Sequence, residues 1–559
     1  MKTILTTLNA KYIHTSLALR LLYAAAADRF DISFREYTLK EDPETVVREL
    51  LAAHPDVIGI SVSIWNVEKS GEVIRLLKAC KPGVILVLGG PEVTYDAEYF
   101  LSIWPVDYIV KGEGEFAFCE LLACIEKGED ARIRGVSSKN CPDRHILKAD
   151  LAKIEKLPSP YALPEEESGW QDRLVYVETS RGCPYGCTYC LSSLEKGVRY
   201  HSPEHIARHL RYLLENGVRQ IKFLDRTFNL NREHTAFVFD FLIRNYRPGV
   251  SCQFEIYADL LTEKTIRELN ERLPAGYFRF EIGVQSTYEP ANEAVNRRQD
   301  FARLARNVRL LAEGGKIDLH IDLIAGLPHE TMERFICSFN DVFDLKAKEV
   351  QLGFLKLLRG TELRKEASRY GYEYTAEAPY EIRSNHAMSC AALERIREAE
   401  HALELFWNSG RFPRTMAALT ERWYRQDYFR LFDELASWLR EYGLPKQGYQ
   451  LEDLFRCLAG FLERKEAVFG EELQEDYYSH FTVRPHGFRP DRPDKKVRRQ
   501  WLHRIGNDAV FLKTHGLARE NIEKHAALDL LPDGSVRLTL FLPDTPKGGH
   551  RTLSYPAGL

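Results

Sequence analysis

Three cysteines stand close together in the chain and have the residue type and spacing of a metal site. Cys183, Cys187 and Cys190 follow the pattern C-x3-C-x2-C in a loop that contains glycine and proline. Thiolates are the ligands of iron–sulfur clusters, whereas a structural zinc site normally closes with four ligands. The next cysteines, Cys141 and Cys252, lie far away in the sequence. The pattern favours a cluster with three protein ligands and one open iron. One alternative is a zinc site that a distant histidine completes, and the other is that the three thiols are unrelated.

The other cysteines do not form a second group. The chain has 11 cysteines, and most of those outside the loop are isolated in apolar surroundings. A disulfide framework is not expected in a reducing compartment. Because free cysteine is among the most buried residue types, we predict small buried thiols at Cys80, Cys119, Cys124, Cys252, Cys337, Cys390 and Cys457.

The composition is that of an ordinary globular protein. Of the 559 residues, 44% are apolar and 28% are charged, and the net charge of −4 makes neither nucleic acid nor a membrane surface an expected partner. No uninterrupted apolar stretch approaches the ~18 residues of a membrane span. The apolar part of residues 1–11 is too short and too polar for a signal peptide, and the segment is more typical of a first strand. These features predict a cytoplasmic protein.

The elements that must position the cysteines form two blocks of alternating strands and helices. In the first block, 1–128, the amphipathic stretches near 16–29, 44–53, 67–80 and 115–126 are separated by short β-branched runs. These five runs, the predicted strands, lie at 3–8, 32–37, 57–62, 84–88 and 108–110. The alternation predicts a doubly wound, flavodoxin-like parallel sheet, in which ligands bind at the carboxyl ends of the strands.

The second block, 171–385, contains the three cysteines and six further β-α units. Its predicted strands lie at 174–178, 220–224, 251–256, 278–284, 319–324 and 350–354. Helices are predicted near 203–216, 232–245, 263–272, 301–313 and 331–345. Six such units suit a (β/α)6-type parallel barrel, whose active site collects at the carboxyl ends of the strands. The charged stretch 129–170, which ends in proline-containing segments, is predicted to be a linker.

The last part of the chain, 386–559, is predicted to be a helical region of unknown role followed by a small β-containing module. Amphipathic stretches near 391–405, 413–441 and 449–468 indicate helices, and 526–531 and 536–541 flank Pro-Asp-Gly-Ser, a hairpin signal. The basic stretch 484–504 could bind an anionic substrate or RNA, or serve as a solvated linker. The aromatic residues interleaved with it could stack on a substrate or pack the tail; they are Tyr477, Tyr478, Phe481, Phe488 and Trp501.

The segment 178–190 resembles the cluster motif of the radical SAM superfamily, and the order of motifs over 171–385 agrees with it. The resemblance implies a [4Fe–4S] cluster on Cys183, Cys187 and Cys190, with S-adenosylmethionine chelated by the open iron. One-electron reduction, from a donor such as flavodoxin or ferredoxin, would then split this cofactor into methionine and a 5′-deoxyadenosyl radical. The resemblance also implies a place near the adenine for Tyr189, the aromatic residue before the third cysteine.

Other strand ends of the barrel supply further candidates for binding S-adenosylmethionine. After the second strand the family often has Gly-Gly-Glu, whereas this chain has Asp225, which either substitutes for that element or is a turn or cap residue. Glu281 and Gln285 face the same way by the two-residue period of a strand and could reach a ribose or a carboxylate. Gly326, after the fifth strand, resembles the family's glycine turn near the adenine, or simply serves the strand-to-helix turn.

The first block resembles a cobalamin-binding domain. Ser61, Ser63 and the pair Gly89-Gly90 are small residues at the ligand edge of the predicted sheet, and Gly112 follows the fifth strand at the same edge. Small residues there would leave a slot between strands and helices for the benzimidazole tail of cobalamin. Serines and a Gly-Gly pair also serve ordinary turns, which is the alternative interpretation.

The first loop departs from many cobalamin-binding domains because the motif Asp-x-His-x-x-Gly is absent. This resembles the variant in cobalamin-dependent radical SAM proteins, in which that signature is commonly missing. His14 is a candidate cobalt ligand, although a hydrogen-bonding or helix-entry role is the preferred interpretation. In that case Thr15 or Ser16 is the N-cap of the first helix.

The order of a cobalamin-like sheet and a radical SAM barrel resembles a family of magnesium-protoporphyrin ester cyclase-like and carbon- or phosphorus-methylating enzymes. It implies a cobalamin-dependent enzyme that cleaves S-adenosylmethionine at the cluster and methylates an unactivated centre in an unknown small molecule or peptide. A cyclase or rearrangement enzyme without methyl transfer is the alternative. RNA methylthiolation would need three more cluster cysteines in the first block. The three that occur there, Cys80, Cys119 and Cys124, include two on helical segments, which makes this the least favoured alternative. A cobalamin or redox sensor has no DNA-binding helix motif to support it.

Overall fold

Short β-branched and aliphatic runs at the start of the chain form a six-stranded sheet, which we call the front sheet. Its strands are β1 Lys2–Asn9, β2 Asp31–Thr38, β3 Val57–Ser61, β4 Ile85–Gly89, β5 Tyr108–Val110 and β6 Val136–Ser137. They lie in the order β2-β1-β3-β4-β5-β6, with β6 antiparallel and all other pairs parallel. The order of the first five is the flavodoxin-like one, so the predicted doubly wound sheet is confirmed.

The structure, a computed structural model, describes residues 1–163, 170–465, 470–482, 494–531, 534–542 and 549–557. The chain separates into two units, Met1–Leu393 and Glu394–Leu559. The first unit contains the front sheet and the predicted barrel. The domain boundaries at 128, 170 and 385 stay predictions.

Helices cover both faces of the front sheet because each has one apolar side. They are α1 Leu17–Ala26, α2 Pro43–Ala52, α3 Val67–Cys80, α4 Pro91–Thr94, α5 Ala97–Ile103 and α6 Glu115–Lys127. Leu50 and Ile74 belong to the core on one face, and Leu121 belongs to the core on the other. The hydroxyl of Ser16 accepts a hydrogen bond from the backbone nitrogen of Leu19 at 3.4 Å, which confirms Ser16 as the predicted N-cap.

The segment predicted to be a linker adds structure to the front sheet. Its strand β6 pairs with β5, and Ala131 and Val136 are buried in the same core as Leu121. A short helix, α7 Leu151–Ile154, follows. Residues 164–169 of the proline-containing end lie outside the described residues. The linker interpretation overlooked β6 because a two-residue strand carries no periodic signal of its own.

A second parallel sheet, the barrel sheet, follows in chain order. The strands of this region are β7 Leu174–Val177, β8 Ser180–Cys183, β9 Gly197–Tyr200, β10 Gln220–Phe223, β11 Ser251–Ile256, β12 Phe278–Gln285, β13 Asp318–Ala325 and β14 Glu349–Phe354. The barrel sheet has the order β14-β13-β12-β11-β10-β7, while β8 and β9 form a separate antiparallel hairpin. This arrangement is the predicted (β/α)6-type barrel, with the hairpin inserted after its first strand.

The helices of the barrel alternate with its strands. They are α8 Pro203–Glu215, α9 Arg232–Arg244, α10 Glu263–Arg272, α11 Glu289–Ala294, α12 Phe301–Gly314, α13 Met332–Phe343 and α14 Glu362–Lys365. A two-stranded pair, β15 Glu373–Tyr374 and β16 Ile382–Ser384, follows. Along β12 the side chains alternate, so that Phe278, Phe280 and Ile282 are buried and the residues between them are half-buried. This period directs the polar residues of β12 to the opposite face.

The rest of the chain is helical up to a small antiparallel sheet. The helices are α15 Cys390–Leu403, α16 Pro413–Ala418, α17 Tyr428–Tyr442, α18 Leu451–Arg464, α19 Gly470–Tyr478, α20 Lys495–Gly506, α21 Ala509–His515 and α22 Arg519–His525. The sheet consists of β17 Ala526–Leu530, β18 Val536–Leu540 and β19 Arg551–Tyr555. The pairing of β17 with β18 confirms the predicted hairpin, whereas β19 was not predicted.

Two predictions for this region were wrong. The helix expected over 413–441 is interrupted between α16 and α17, where Gln426 has a φ of +61° that a right-handed helix does not contain. Residues 495–504 of the basic stretch belong to α20 rather than to a linker. The remainder of that stretch up to residue 493, which includes Phe488, and the turn residues 532–533 lie outside the described residues.

All 11 cysteines are free. The prediction of buried thiols is confirmed for Cys119, Cys252 and Cys457, but it is wrong for three exposed residues, Cys80, Cys337 and Cys390. Each of these three lies on a helix, where rotation about the axis, rather than local composition, decides which side chains face solvent. Within the described residues, every helix is too short or too polar to cross a membrane.

Candidate functional site

The three cysteines lie in a loop that the β8–β9 hairpin closes at its base. Cys183 ends β8, and β9 begins at Gly197, so Cys187 and Cys190 lie in the connection between the two strands. Gly182 has a φ of +98°, and a Cβ atom there would lie 2.1 Å from the carbonyl oxygen of Gly197. Only glycine permits so close an approach, which brings the two ends of the loop together.

The thiols open into one cavity of about 260 Å³ at the carboxyl ends of the barrel strands. Cys183 and Cys187 are buried, and Cys190 is half-buried. The tertiary structure brings other predicted residues to the same wall, namely Tyr189, Glu281 and Gln285. The wall also contains residues that the sequence interpretation did not select, among them Tyr185, Arg226, Glu255, Tyr257, Arg297 and Asp322.

The donor set of this cavity fits an iron–sulfur cubane. Within the described part of the chain, no three His, Cys, Asp or Glu side chains are grouped so that they could hold one metal ion, so the zinc alternative has no ligand group there. A cubane is larger than an ion, and its thiolates approach different corners instead of one point. Burial raises the pKa of Cys183 and Cys187. Binding of iron would therefore release protons from these two thiols.

Arg297 is a buried cation beside the cysteines. Its guanidinium donates to the hydroxyl of Tyr257 at 3.0 Å and to the carbonyl oxygen of Gly283, and it reaches the hydroxyl of Tyr189 at 3.5 Å. Only 5% of the residue is exposed, and none of the described carboxylates pairs with it. Arg297 lowers the pKa of Cys187 against the larger, opposite effect of burial. A buried charge without a counterion favours an anionic ligand.

The sequence interpretation missed Arg297 because it belongs to no motif of three or four residues. A signal was nevertheless present, since Arg297 and Arg298 belong to the connection from β12, the strand that carries Glu281 and Gln285, to α12. Residues that follow the carboxyl end of a barrel strand lie on the side of the active site. Basic residues in such connections are therefore candidates for the site in the same way as acidic ones.

Glu281 and Gln285 both line the cavity, but they differ in their partners. The ammonium group of Lys222 donates to both carboxylate oxygens of Glu281, at 3.1 and 2.9 Å. The register between β12 and β13 shifts from Gly283 to Gln285, and Gln285 has a φ of +69°. The buried Oε1 of Gln285 has no hydrogen-bond partner among the described residues. Because buried polar atoms are normally paired, this oxygen fits a donor that belongs to a ligand.

Two of the predicted residues are not part of the cavity wall. Asp225 is 1% exposed, and its carboxylate accepts hydrogen bonds from the backbone nitrogen and hydroxyl of Thr179 and from the hydroxyl of Ser180, at 3.0, 2.7 and 2.5 Å. The carbonyl oxygen of Gly326 accepts a hydrogen bond from Tyr372 at 2.9 Å. Both sets of contacts are tertiary, because Asp225 binds residues around the start of β8 and Gly326 contacts a residue that precedes β15. Binding of S-adenosylmethionine by Asp225 or Gly326 stays a prediction.

Most residues predicted to bind cobalamin lie at the carboxyl edge of the front sheet. Ser61 ends β3 and is in register with Gly89, which ends β4. Gly90 has a φ of +103°, and a Cβ atom there would lie 2.4 Å from the carbonyl oxygen of Val62. Ser63 is buried, with 6% of its surface exposed. The small side chains are thus grouped at the edge where open parallel sheets bind ligands.

Gly112 and His14 lie at the same edge but contact other parts of the protein. Gly112 forms a β-bridge with Leu147 in the segment that follows the front sheet. Nδ1 of His14 lies 2.8 Å from the hydroxyl oxygen of Tyr176 in β7, and burial lowers the pKa of this imidazole. A hydrogen-bonding role of His14 fits these contacts better than coordination of cobalt does.

Three large apolar side chains at this edge are exposed. Tyr12 and Ile13 follow β1, and Trp65 follows β3, with 64%, 42% and 54% of their surfaces accessible. Exposed apolar side chains of this size at one edge are typical of a binding surface. Together with the small residues at the ends of β3 and β4, they fit a flat and largely apolar macrocycle such as the corrin of cobalamin.

Comparison with protein families agrees with this arrangement. Residues 4–122 match the family described as "B12 binding domain", and residues 177–341 match the "Radical SAM superfamily". Residues 368–535 match a "Protein of unknown function (DUF4080)". The chain therefore contains a B12-binding domain followed by a radical SAM domain, as the resemblance predicted.

Curated relatives match about half of the chain. An uncharacterized methyltransferase from Pyrococcus horikoshii is 30% identical over 298 residues, which are 50% of this chain and 62% of that protein. The anaerobic magnesium-protoporphyrin IX monomethyl ester cyclase of Rubrivivax gelatinosus is 22% identical over 334 residues, which are 56% of this chain and 58% of that protein. The chain thus spans little more than half the length of each relative.

A solved structure shows the same fold over a larger part of the chain. It is the structure of TsrM from Kitasatospora setae, a radical S-adenosylmethionine methyltransferase with cobalamin and a [4Fe-4S] cluster bound. The TM-score is 0.58 at 19% sequence identity, over 67% of this chain and 81% of that chain. The likeness confirms the predicted fold class, a doubly wound sheet followed by a radical SAM barrel.

Proposed function

We propose that the protein is a cobalamin-dependent radical SAM enzyme that cleaves S-adenosylmethionine reductively at a [4Fe–4S] cluster and methylates an unactivated centre. The observation that carries the proposal is the cavity shared by Cys183, Cys187 and Cys190, at the carboxyl ends of the barrel strands. The front sheet, with its edge of small and exposed apolar residues, belongs to the same unit of the chain. The acceptor is a small molecule or a peptide, and the reductant is a one-electron donor such as flavodoxin or ferredoxin.

The cavity wall supplies groups for both the cluster and the nucleoside. The three thiolates hold the cluster, and Arg297, which has no carboxylate partner among the described residues, binds the carboxylate of S-adenosylmethionine. Gln285 accepts a hydrogen bond from the same ligand through its unpaired Oε1, and Tyr189 lies near the adenine. Burial raises the pKa of Glu255, another residue of the wall, because it disfavours the charged form of this carboxyl.

The front sheet holds cobalamin in this proposal. Ser61, Ser63, Gly89 and Gly90 would leave room for its benzimidazole tail, and Trp65, Tyr12 and Ile13 would contact the corrin. When bound, the cluster would supply the electron for cleavage of S-adenosylmethionine and cobalamin would supply a carrier for the methyl group. The chain's own part is to bind both groups, to exclude water from the cavity and to orient the ligand through Arg297.

Methyl transfer is supported by similarity to proteins named as methyltransferases, both by sequence and by fold. The similarity to a monomethyl ester cyclase supports a second candidate, a cyclase or rearrangement enzyme that transfers no methyl group. Methyl-labelled S-adenosylmethionine distinguishes the two. With reconstituted protein and an extract of small molecules and peptides, label in a new product supports methyl transfer. A new product without label supports the cyclase or rearrangement reaction instead.

The cluster is tested on anaerobically reconstituted protein. We expect about four iron atoms per chain and release of 5′-deoxyadenosine when a reductant is added. Cys187→Ala should lose both, whereas Cys337→Ala, which removes an exposed thiol from α13, should retain both. Iron content and nucleoside release that are equal in the two variants would falsify the proposal.

A further inference from the structure

One carboxylate of the B12-binding domain contacts both strands of the hairpin that carries the cysteine loop. Glu113 comes shortly after β5, and its Oε2 accepts a hydrogen bond from Arg181 at 3.0 Å while its Oε1 accepts one from Arg199. Arg181 in β8 and Arg199 in β9 are direct cross-strand partners. A single side chain of the B12-binding domain therefore spans the base of the loop, next to Cys183.

This contact is buried and rich in charge. The side chains of Arg181 and Glu113 are 9% and 11% exposed, so solvent screens their interaction little. Arg181 also forms ion pairs with Glu115 at 2.7 Å and with Glu178 at 2.6 Å. Oε2 of Glu115 is buried without a hydrogen-bond partner among the described residues. Displacement of the guanidinium would leave several buried carboxylates unpaired, so the hairpin base and the loop after β5 must move together.

We propose that Glu113 is a positioning residue that couples the B12-binding domain to the cysteine loop. The inference rests on the proposed function, in which cobalamin binds at the carboxyl edge of the front sheet. The loop that carries Glu113 begins at that edge, because it follows β5 directly. Binding at the edge restrains this loop, and the two arginines transmit the restraint to both strands of the hairpin. Coupling between two binding sites is reciprocal. A cluster in the loop therefore changes the affinity for cobalamin by the same factor by which cobalamin changes the affinity for the cluster.

A second ion pair between the same two blocks provides a matched control. Glu36 in β2 pairs with Arg173, which precedes β7, at 3.2 Å. The two side chains are 10% and 15% exposed, so this contact is as buried as that of Glu113. Arg173 is not part of the β8–β9 hairpin. Glu36→Gln therefore weakens the contact between the front sheet and the barrel, together with the ion pair of Glu36 with Arg20 in α1, without touching the base of the cysteine loop.

The test uses the full chain with Glu113→Gln and Glu36→Gln, and hydroxocobalamin as the probe. The affinity for hydroxocobalamin is measured in cluster-free and in anaerobically reconstituted protein. Hydrogen exchange of residues 184–196 is measured with and without hydroxocobalamin. In the wild type we expect affinities that differ by about fivefold or more between the two forms, and slower exchange with hydroxocobalamin. Glu113→Gln should bring the ratio to about one and abolish the slowing, whereas Glu36→Gln should retain both effects.

Equal affinities in the two forms of the wild type, or wild-type coupling in Glu113→Gln, overturn the inference. If Glu113→Gln does not fold, Arg199→Gln replaces it, because that side chain is 30% exposed and its loss leaves less buried charge unpaired. Full coupling in Arg199→Gln then overturns the inference as well. A wild type that binds neither a cluster nor hydroxocobalamin refutes the proposed function itself, whereas binding of both without coupling refutes only the role of Glu113.

Discussion

The guanidinium of Arg297 donates to the hydroxyl of Tyr257 at 3.0 Å and also lies over the ring of this tyrosine, 4.9 Å from its centroid. The ring of Tyr257 stacks in turn on Tyr185, with 4.2 Å between the centroids. Tyr185 lies in the cysteine loop, between Cys183 and Cys187. The two aromatic rings thus hold the guanidinium of Arg297, which has no carboxylate partner among the described residues, against the loop. The orientation of this guanidinium is therefore set before a ligand binds.

Arg297→Gln is expected to weaken binding of S-adenosylmethionine about tenfold or more, because a hydrogen bond to a charged group contributes about 1.5–3 kcal/mol. Equilibrium binding to reconstituted protein measures this effect, with iron content determined on the same samples. Arg309→Gln is the control, since Arg309 forms an exposed pair with Asp344 at 3.0 Å. Equal affinity of Arg297→Gln and the wild type would contradict the role of Arg297 in anion binding.

Asp225→Asn is expected to lower the free energy of unfolding by about 1–3 kcal/mol, because an amide nitrogen would face the buried donors of Thr179 and Ser180. Denaturant unfolding of the cofactor-free protein measures this change. Asp240→Asn, which affects the partly exposed pairs with Arg244 and Arg272, should cost less than about 1 kcal/mol. An unchanged stability of Asp225→Asn together with weaker binding of S-adenosylmethionine would favour the ligand role for Asp225 instead.

His14→Ala is expected to bind hydroxocobalamin with the visible spectrum of the wild type, because its imidazole faces Tyr176 rather than an open site. The lost hydrogen bond should cost about 1 kcal/mol of stability, and Tyr176→Phe, which removes the same contact, should cost a similar amount. Absorption spectroscopy and thermal unfolding measure the two effects. A spectral change in His14→Ala but not in Tyr176→Phe would identify His14 as a cobalt ligand.

Glu330 predicts a dependence of stability on pH. It is fully buried, its Oε1 accepts hydrogen bonds from Ser286 and Ser338, and burial raises its pKa from 4.5 to about 7. Since the folded protein holds this proton more tightly than the unfolded chain, the stabilising contribution is complete below pH 4.5 and is lost as the pH rises through about 7. A shift of this size corresponds to about 3 kcal/mol.

Glu330→Gln is neutral at every pH and should remove this dependence. We expect its melting temperature to fall less than that of the wild type between about pH 5 and about pH 8. Glu313→Gln, at an exposed position on α12, should follow the wild-type profile. Parallel profiles of Glu330→Gln and the wild type would show that Glu330 titrates at its ordinary pKa.

The sequence by itself determined most of the strands and helices of the two parallel sheets, and the cysteine motif, because both depend on residues that are close together in the chain. Alternating strands and helices gave both parallel sheets, and the spacing of Cys183, Cys187 and Cys190 lies within one loop. The cap at Ser16 and the hairpin of β17 and β18 are local in the same sense. The stability of this cap and of this hairpin depends on backbone groups that are close in the chain, so the order of residues is enough to predict them.

Only the tertiary structure decided which side chains meet at the cavity and between the domains. Arg297 reaches Tyr189, Glu113 reaches Arg199, and Asp225 reaches Thr179, each across a long stretch of chain. The exposure of Cys337 likewise depends on how α13 packs. These contacts arise because parallel strands and their connections bring distant residues to one edge, where burial makes the pairing of charges and polar groups decisive; no local pattern carries that information.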